Sequence, residues 1–366
     1  MRILVLNAGS SSLKASVIDV PEMTVAATQQ DWGSDATQAA GREAGVRAAI
    51  EALFVAGVPL GSIDAVGHRV VHGGPRYVES VVVDDEVIAG VRAVSSLAPL
   101  HNGVALETLE AARRVLPDVP HVLCFDTAFH RTLPPEAVRY PVPARWSAEW
   151  GARRYGFHGL SVDWATREAA RLLGRPAAEL GLIVAHLGSG CSVTAVWHGR
   201  SIDTSMGETP LEGLMMGTRS GSVDPGLLMR LLMEGRLTVE EMDDALEHQS
   251  GLLGVSGVSG EMQLVQAAAE RGDADASLAV AMFVRHAAAG IGAAATNLPR
   301  LDALVFTGGI GEHAEPIRAA ILERLTGLGI GRPPDRRAPG PPKVLVIEAR
   351  EDLVIAAEAA RLLAAA

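Results

Sequence analysis

Five short stretches of this sequence place an arginine, an imidazole or a carboxylate beside glycine or an aromatic ring. They are Gly67-His68-Arg69-Val70-Val71-His72-Gly73-Gly74, Leu100-His101-Asn102, Phe125-Asp126-Thr127-Ala128-Phe129-His130, Tyr155-Gly156-Phe157-His158-Gly159 and Met216-Gly217-Thr218-Arg219-Ser220-Gly221. Taken singly, each fits a hydrogen-bonded core histidine or a turn-capping aspartate as well as it fits a catalyst. Three further stretches end an apolar run in small residues: Ala8-Gly9-Ser10-Ser11-Ser12, His186-Leu187-Gly188-Ser189-Gly190 and Thr307-Gly308-Gly309-Ile310-Gly311-Glu312. Turns of this kind aim several backbone N–H groups and hydroxyls at one point, which makes an anion site without a Walker motif. Three in one chain fit a polyphosphate, although a hairpin that needs glycine for its backbone explains any single one of them better than a ligand site does. The commoner sites are missing from the sequence. It has no GxxxxGK[ST], no dinucleotide GxGxxG, no HExxH or paired Cys/His spacing, and no GxSxG elbow.

These groups need a scaffold, and the pattern around them is α/β. Apolar runs at residues 3–7, 182–185 and 303–306 read as strands, and 344–347 as a last strand after the proline-rich stretch 332–342. Helical periodicity covers 103–116, 161–173 with Ser161 as N-cap, 316–325, and a terminal helix from about Asp352. Strands alternating with helices imply a layered α/β fold. The first two strand-loop units also overlay. With Asn7 set against His186, Gly9 falls on Gly188, Ser10 on Ser189 and Val17 on Val196, and each loop leads into a second β-like run, at 14–20 and 192–197. A duplicated domain would produce this, as would two hairpins alike by chance.

The chain has 366 residues, which points to two domains, and its 48% hydrophobic and 20% charged composition is that of a globular protein. A net charge of −11 argues against nucleic acid or an anionic membrane as partner, so any anionic ligand must be held by local donors. Lys14 and Lys343 are the only lysines among 32 basic residues. Cys124 and Cys191 lack any metal or disulfide spacing, which fits a reducing cytoplasm. No signal core follows Met1, and the apolar stretch 278–298 is interrupted by Arg285, His286, Asn297 and glycines, so it is expected to be a buried helix rather than a spanning one.

Together these stretches closely resemble the acetate and propionate kinase family, within the actin, heat-shock ATPase and sugar-kinase superfamily. The resemblance runs in order from Asn7-Ala8-Gly9-Ser10-Ser11-Ser12-Leu13-Lys14 through the clusters above, with Thr204-Ser205-Met206-Gly207, Pro210-Leu211-Glu212-Gly213 and Gly254-Val255-Ser256-Gly257, to Glu351. It implies two duplicated actin-like (ribonuclease H-like) α/β domains, at 1–140 plus 340–366 and at 141–339, with a central active-site cleft. It also implies reversible Mg²⁺- or Mn²⁺-dependent transfer of the ATP γ-phosphoryl to acetate, in a cytoplasmic homodimer with the apolar helix 278–298 as a candidate dimer core. The alternatives are a propionate or butyrate kinase on the same scaffold, and a non-catalytic nucleotide-binding protein of the superfamily.

Carried over residue by residue, the resemblance implies roles that suit the chemistry. A short carboxylate is already ionised at pH 7, so the site needs no general base; it needs cancellation of repulsion between two anions and alignment of the transfer. Arg69 and Arg219 match the arginines that face the acid and the phosphoryl group, His158 the imidazole that hydrogen-bonds the phosphoryl, and Asp126 the carboxylate that orients them. Asn7 and Glu351 match residues around the metal. Ser10, Ser12, Lys14, His186, Gly188, Gly190, Gly309 and Gly311 fall at the nucleotide phosphates, and Glu261, Met262 and Gln263 at the base. Val71, Leu100, Phe157 and Pro210 form the acyl pocket with His101 in support. Four departures stand out, one being Arg350-Glu351-Asp352 in place of the usual Asn-Glu-Glu. Glu261-Met262-Gln263 replaces Asp-Phe-Arg, Ser189 replaces an asparagine, and Glu208 stands where an aromatic is frequent.

Overall fold

The computed structural model describes residues 1–9, 12–31, 39–331 and 340–364, and the side chains of these except at 39, 40, 96, 99 and 100. Ser10 therefore lies outside the described residues, as does most of the proline-rich stretch 332–342. The chain divides into two compact units, the first comprising Met1–Arg131, Phe157–Trp164 and Arg350–Ala366, the second Thr132–Gly156 and Ala165–Ala349.

The first unit is built on a six-stranded sheet of β1 (Arg2–Ala8), β2 (Ser12–Asp19), β3 (Met23–Asp31), β4 (Ala65–Val70), β5 (Val81–Val82) and β6 (His121–Phe125), in the order β3-β2-β1-β4-β6-β5. β1 is apolar without alternation because both faces of the sheet are covered. Leu4 and Leu6 lie in one core with Val46, Ile50 and Leu53 of helix Ala39–Val55 and Val104, Ala111 and Ala112 of helix Pro99–Val115. Ile3 and Val5 lie in another with Leu353, Val354, Ala356 and Ala359 of helix Glu351–Ala364.

The second unit repeats the pattern. Its sheet holds β7 (Gly181–Leu187), β8 (Cys191–Trp197), β9 (Arg200–Thr204), β10 (Ala303–Thr307) and β11 (Lys343–Val346), in the order β11-β10-β7-β8-β9. β7, β8 and β9 form an antiparallel meander and β10 and β11 run parallel to β7, as β1, β2, β3, β4 and β6 do in the first unit. Even the irregularities correspond. The register shifts at Val17/Ile18 in β2 and at Ala195/Val196 in β8, within one residue of where the sequence overlay pairs them. Duplication, rather than chance likeness of two hairpins, accounts for this.

Three local expectations change. Helix Gly159–Leu173 starts before Ser161, which is buried inside it rather than capping it. Helix Pro99–Val115 begins four residues earlier than its periodicity indicates, on a proline whose fixed φ suits the first turn. The third glycine turn is not a hairpin: Gly308 takes φ +77 and the chain enters a short helix, Gly308–His313. The apolar stretch 278–298 falls largely within helix Ala274–Ala295, which among the described residues is long and apolar enough to cross a membrane by length and composition. It packs on β7, β8 and three helices, burying Ala276, Ala279, Phe283, Val284, Ala287, Ala288, Ile291 and Ala294.

His68, His121 and His130 are three of the four imidazoles buried in the first unit among the described residues. His68 Nε2 and His121 Nδ1 are 2.9 Å apart, and His121 Nε2 is 3.2 Å from the Leu116 carbonyl. A carbonyl can only accept, so His121 is protonated on Nε2, His68 donates from its own Nε2, and His68 Nδ1 is left buried with no partner. Burial depresses both His68 and His121, and takes His130, bonded to the Phe157 carbonyl, down to about 4. Unfolded, all three titrate near 6.5. Above that pH both states are neutral and stability is full; between about 6.5 and 4 the unfolded chain binds protons that the folded chain refuses, so stability falls with pH. His130 alone accounts for about 3 kcal/mol of this loss. Urea midpoints measured from pH 7.5 to 4.5 should fall, and the fall should be shallower in His130→Gln.

Candidate active site

In the first unit the polar side chains gather at the carboxyl ends of the parallel strands β1, β4 and β6, where open α/β sheets bind ligands. Arg69 is on β4, Asn7 near the end of β1, Asp126 one residue past β6, and Glu351 in the first turn of the terminal helix. Each nitrogen of the Arg69 fork has a partner. Nε donates to Asp126 Oδ1 at 3.0 Å and Oδ2 at 3.1 Å, Nη2 to Asp126 Oδ2 at 2.6 Å, and Nη1 to Asn7 Oδ1 at 3.2 Å. Asn7 Nδ2 in turn donates to Glu351 Oε2 at 2.7 Å, and that oxygen is 3.8 Å from Arg69 Nε. Burial opposes charge on Arg69, but Asp126 and Glu351 outweigh it and raise the guanidinium above its ordinary value. Burial pushes the Asp126 carboxyl up, against the pull of Arg69. The result is a fixed cation at the mouth of the sheet, aimed by a buried carboxylate.

His158 belongs to the same unit and is held through its backbone. It has φ +60, a left-handed conformation that only a few residue types adopt readily. Three anchors hold it there. Its N–H donates to the Asp126 carboxylate, the Gly159 N–H donates to the Asp126 carbonyl at 2.9 Å, and His130 donates to the Phe157 carbonyl at 2.9 Å. Residue 159 must be glycine, since a Cβ there would stand 2.1 Å from the Asp126 carbonyl oxygen. Asp126 thus fixes both Arg69 and the His158 backbone. Val71 and Phe157 are buried at 7% and 1% exposure, and the Phe157 ring stands edge-on to His72 at 5.3 Å. The fully buried Asn102 clamps the strand exit beside Val71, accepting from the His72 N–H at 3.1 Å and donating to its carbonyl at 2.9 Å. His101 is half-buried in the first turn of helix Pro99–Val115; the Leu100 side chain is outside the described residues.

In the second unit Arg219 Nη1 donates to the carbonyl of the buried Pro210 at 2.7 Å, with Glu247 3.9 Å from Nε. Burial lowers the guanidinium from its ordinary value and Glu247 opposes this; an arginine stays cationic regardless.

The glycine turns lie at strand ends in both units. Gly9 N–H donates to the Ser12 carbonyl at 2.8 Å, and Lys14 stands exposed on β2 opposite Asn7. The matching turn after β7 closes with Gly188 N–H on the Gly190 carbonyl at 3.0 Å. The His186 ring lies between two turns, its Nε2 being 3.7 Å from a Cβ placed on Gly188 and 3.1 Å from one placed on Gly308. Gly309 is exposed with open space around it and Gly311 is buried. The stretch at 261–263 starts helix Met262–Glu270. Met262 turns inward at 4% exposure, so only Glu261 and Gln263 face solvent. Burial holds the Cys191 thiol, as it does Cys124, up at about 12, and neither is bonded to another cysteine.

Several residues that shape these sites carry no chemical signal in sequence. His130 and Asn102 sit within marked clusters, but their partners are backbone atoms far along the chain. Glu312 closes the third glycine motif, its Oε1 accepting from the N–H groups of Gly308 and Ala349 at 2.9 Å each.

Comparison with known proteins agrees with this assembly of parts. The model of the acetokinase family matches residues 2–357. An acetate kinase from Deinococcus deserti is 46% identical, covering 100% of this chain and 98% of its own length. Among solved structures, a propionate kinase from Francisella tularensis superposes with a TM-score of 0.86 at 35% identity, covering 98% of both chains. An acetate kinase from Porphyromonas gingivalis gives 0.83 at 32% identity, covering 99% of both. The class is therefore that of the actin-like ATPase fold, serving as a phosphotransferase with a carboxyl group as acceptor. The chain belongs to the acetokinase family.

The buried ion pair yields a direct test. Asp126→Asn leaves the Arg69 cation without its partner and should cost about 3 to 5 kcal/mol of stability, since breaking one side of a buried pair strands the other. Chemical denaturation at pH 7 measures it.

Proposed function

We propose that this chain is an acetate kinase that transfers the γ-phosphoryl of ATP to acetate by direct in-line displacement, giving acetyl phosphate and ADP reversibly. The observation that carries the reading is the Arg69 guanidinium, fixed by Asp126 and Asn7 at the carboxyl end of the first sheet. Acetate arrives ionised, so its oxygen is already the nucleophile, and the obstacle is repulsion between it and the triphosphate. Arg69 and Arg219 offset that repulsion, and their planar forks match the three equatorial phosphoryl oxygens. His158 donates a hydrogen bond to the phosphoryl group and takes no proton from the acid. Its fixed backbone means that little reorganisation accompanies the transfer. The apolar Val71, Phe157 and Pro210 receive the methyl group.

A divalent cation fits the residues present. Among the described residues no cluster of three or more His, Cys, Asp or Glu side chains could hold an ion alone. Asn7 and Glu351 offer oxygen ligands, and Mg²⁺ keeps several waters and takes most of its remaining ligands from substrate phosphates. Glu351 and Asn7 would hold it, with Asp126 reaching it through water, and it would neutralise charge on the phosphates. Ser12, Lys14, His186 and the turns at Gly188 and Gly308 would receive the nucleotide.

We further assign the protein to the cytoplasm, in keeping with its two free, buried thiols, and to a homodimer. Helix Ala274–Ala295 spends eight of its residues inside its own unit and leaves the others half-buried or exposed, Leu278 among them. Helix Pro225–Met233 also supports the assignment. It is apolar yet buries no residue, with Met229 and Met233 at 56% and 82% exposure.

Two measurements test the reading. Arg219→Ala should lower turnover by about 10³ to 10⁵ with the fold retained, Arg69→Ala should do so together with a loss of stability from the stranded Asp126 carboxylate, and His158→Gln should keep more activity than His158→Ala. Near-wild-type kcat in Arg219→Ala would defeat the assignment. Trapping the acyl phosphate with hydroxylamine, over a panel of acids and nucleotides, should show acetate preferred over propionate by roughly 1 to 3 kcal/mol per added methylene. The same panel should show GTP used within about tenfold of ATP, because Glu261 and Gln263 offer no aromatic or guanidinium to stack on the base. A preference for propionate or butyrate would make the chain a kinase of those acids.

A further inference from the structure

We propose that Arg154, acting with Glu212 and Tyr140, is a positioning residue that sets the shape of the loop 205–213 and through it the affinity and chain-length selectivity for the carboxylic acid. The inference rests on the assignment of Pro210 and Arg219 to the acid site made above.

The loop is pinned at both ends. Ser205 makes two hydrogen bonds to the backbone of Val193 in β8, its N–H donating to the carbonyl at 2.9 Å and its Oγ accepting from the N–H at 3.0 Å. Gly213 is tied to Ser222, through its own N–H to Oγ at 3.1 Å and through the Ser222 N–H to its carbonyl at 3.0 Å. Between these pins lies Pro210, whose side chain is buried and whose carbonyl holds Arg219. What fixes the path between is one guanidinium. Arg154 Nη1 donates to three successive carbonyls, Thr204 and Ser205 at 3.2 Å and Met206 at 2.8 Å, while Nη2 reaches Glu212 Oε1 at 2.6 Å, two residues from Pro210. One rigid plane therefore joins the start of the loop to its far side.

Tyr140 completes the tie. Its hydroxyl donates to Glu212 Oε2 at 2.7 Å and accepts from the Glu208 N–H at 2.8 Å, and its ring lies beneath the Arg154 guanidinium at 5.5 Å. Burial and the neighbouring carboxylate raise this phenol, so it keeps the proton it donates. Gly207 is threaded under the clamp. Its carbonyl accepts from the N–H groups of Tyr155 and Gly156 at 3.0 and 3.1 Å, and a Cβ on it would lie 1.9 Å from Glu212 Oε2 and 2.3 Å from the Tyr140 hydroxyl. Arg154 is held at 16% side-chain exposure, so its bonds are largely shielded from water. A lysine ammonium supplies three donors from one point and cannot span a carboxylate and three carbonyls.

Arg154→Lys tests the proposal, with Tyr140→Phe as the milder variant that keeps the ring and loses only the hydroxyl. In Arg154→Lys, kcat/KM for acetate should fall about tenfold to a hundredfold, the scale of a displacement of about 1 Å. The fall should be carried mainly by KM for the acid, with KM for ATP held within about twofold and the acetate-to-propionate ratio shifted. Tyr140→Phe should move the same quantities in the same direction by less, and it carries the test alone if Arg154→Lys does not fold. A loss of thermal stability with acid KM and acid ratio unchanged in both variants would overturn the proposal, since it would make the clamp merely structural. Full activity in Arg219→Ala would instead remove the acid site on which the inference stands.

Discussion

The first unit depends on one buried ion pair. Asp126 is 1% exposed at its side chain and gives both oxygens to Arg69, and its backbone and carboxylate also capture the N–H groups of Gly159 and His158. Burying a lone carboxylate is prohibitively costly, so Asp126 is tolerable only with these partners in place. That requirement works in the reverse direction as well. A carboxylate that cannot exist unpaired forces an arginine from β4 and a left-handed residue before helix Gly159–Leu173 into fixed positions. Stability and site geometry are therefore one constraint rather than two.

Duplication explains why the glycine turns come in a matched pair. Each unit opens with a strand, a glycine turn and a returning antiparallel strand, and each places the turn at the carboxyl end of a parallel neighbour. The copies have diverged at the residue that ends the first strand. Asn7 became part of a charged network with Arg69 and Glu351, whereas His186 is an imidazole set between two glycine turns.

Much of this was legible beforehand, for physical reasons that can be named. β1, β7 and β10 are apolar throughout because sheets covered on both faces must be, and the glycine clusters after them mark where the backbone turns. Arg69, Asp126 and His158 stood out because charge beside glycine in an apolar setting is uncommon. Met262 faces the core, which its motif position does not reveal, because a motif position says nothing about which side of a helix a residue takes. The Arg154 clamp was invisible for a different reason. Three of its partners are backbone carbonyls, which have no letter in the sequence, and Glu212 lies 58 residues away. Ser161 shows the limit of capping rules: a serine two residues into a helix looks like a cap until a glycine held by the Asp126 carbonyl starts the helix earlier.

The near absence of lysine has a chemical consequence of its own. An acyl phosphate is an acylating agent toward free amines, forming an amide and releasing phosphate, while protonated guanidinium groups are inert to it. With arginine at nearly every basic position, this protein offers its own reactive product only two lysine amines. Lys343 is exposed on β11, in the second unit, and Lys14 is exposed on β2 directly opposite Asn7. Self-acylation, where it occurs, would therefore neutralise the one ammonium beside the first glycine turn and leave the arginine network untouched.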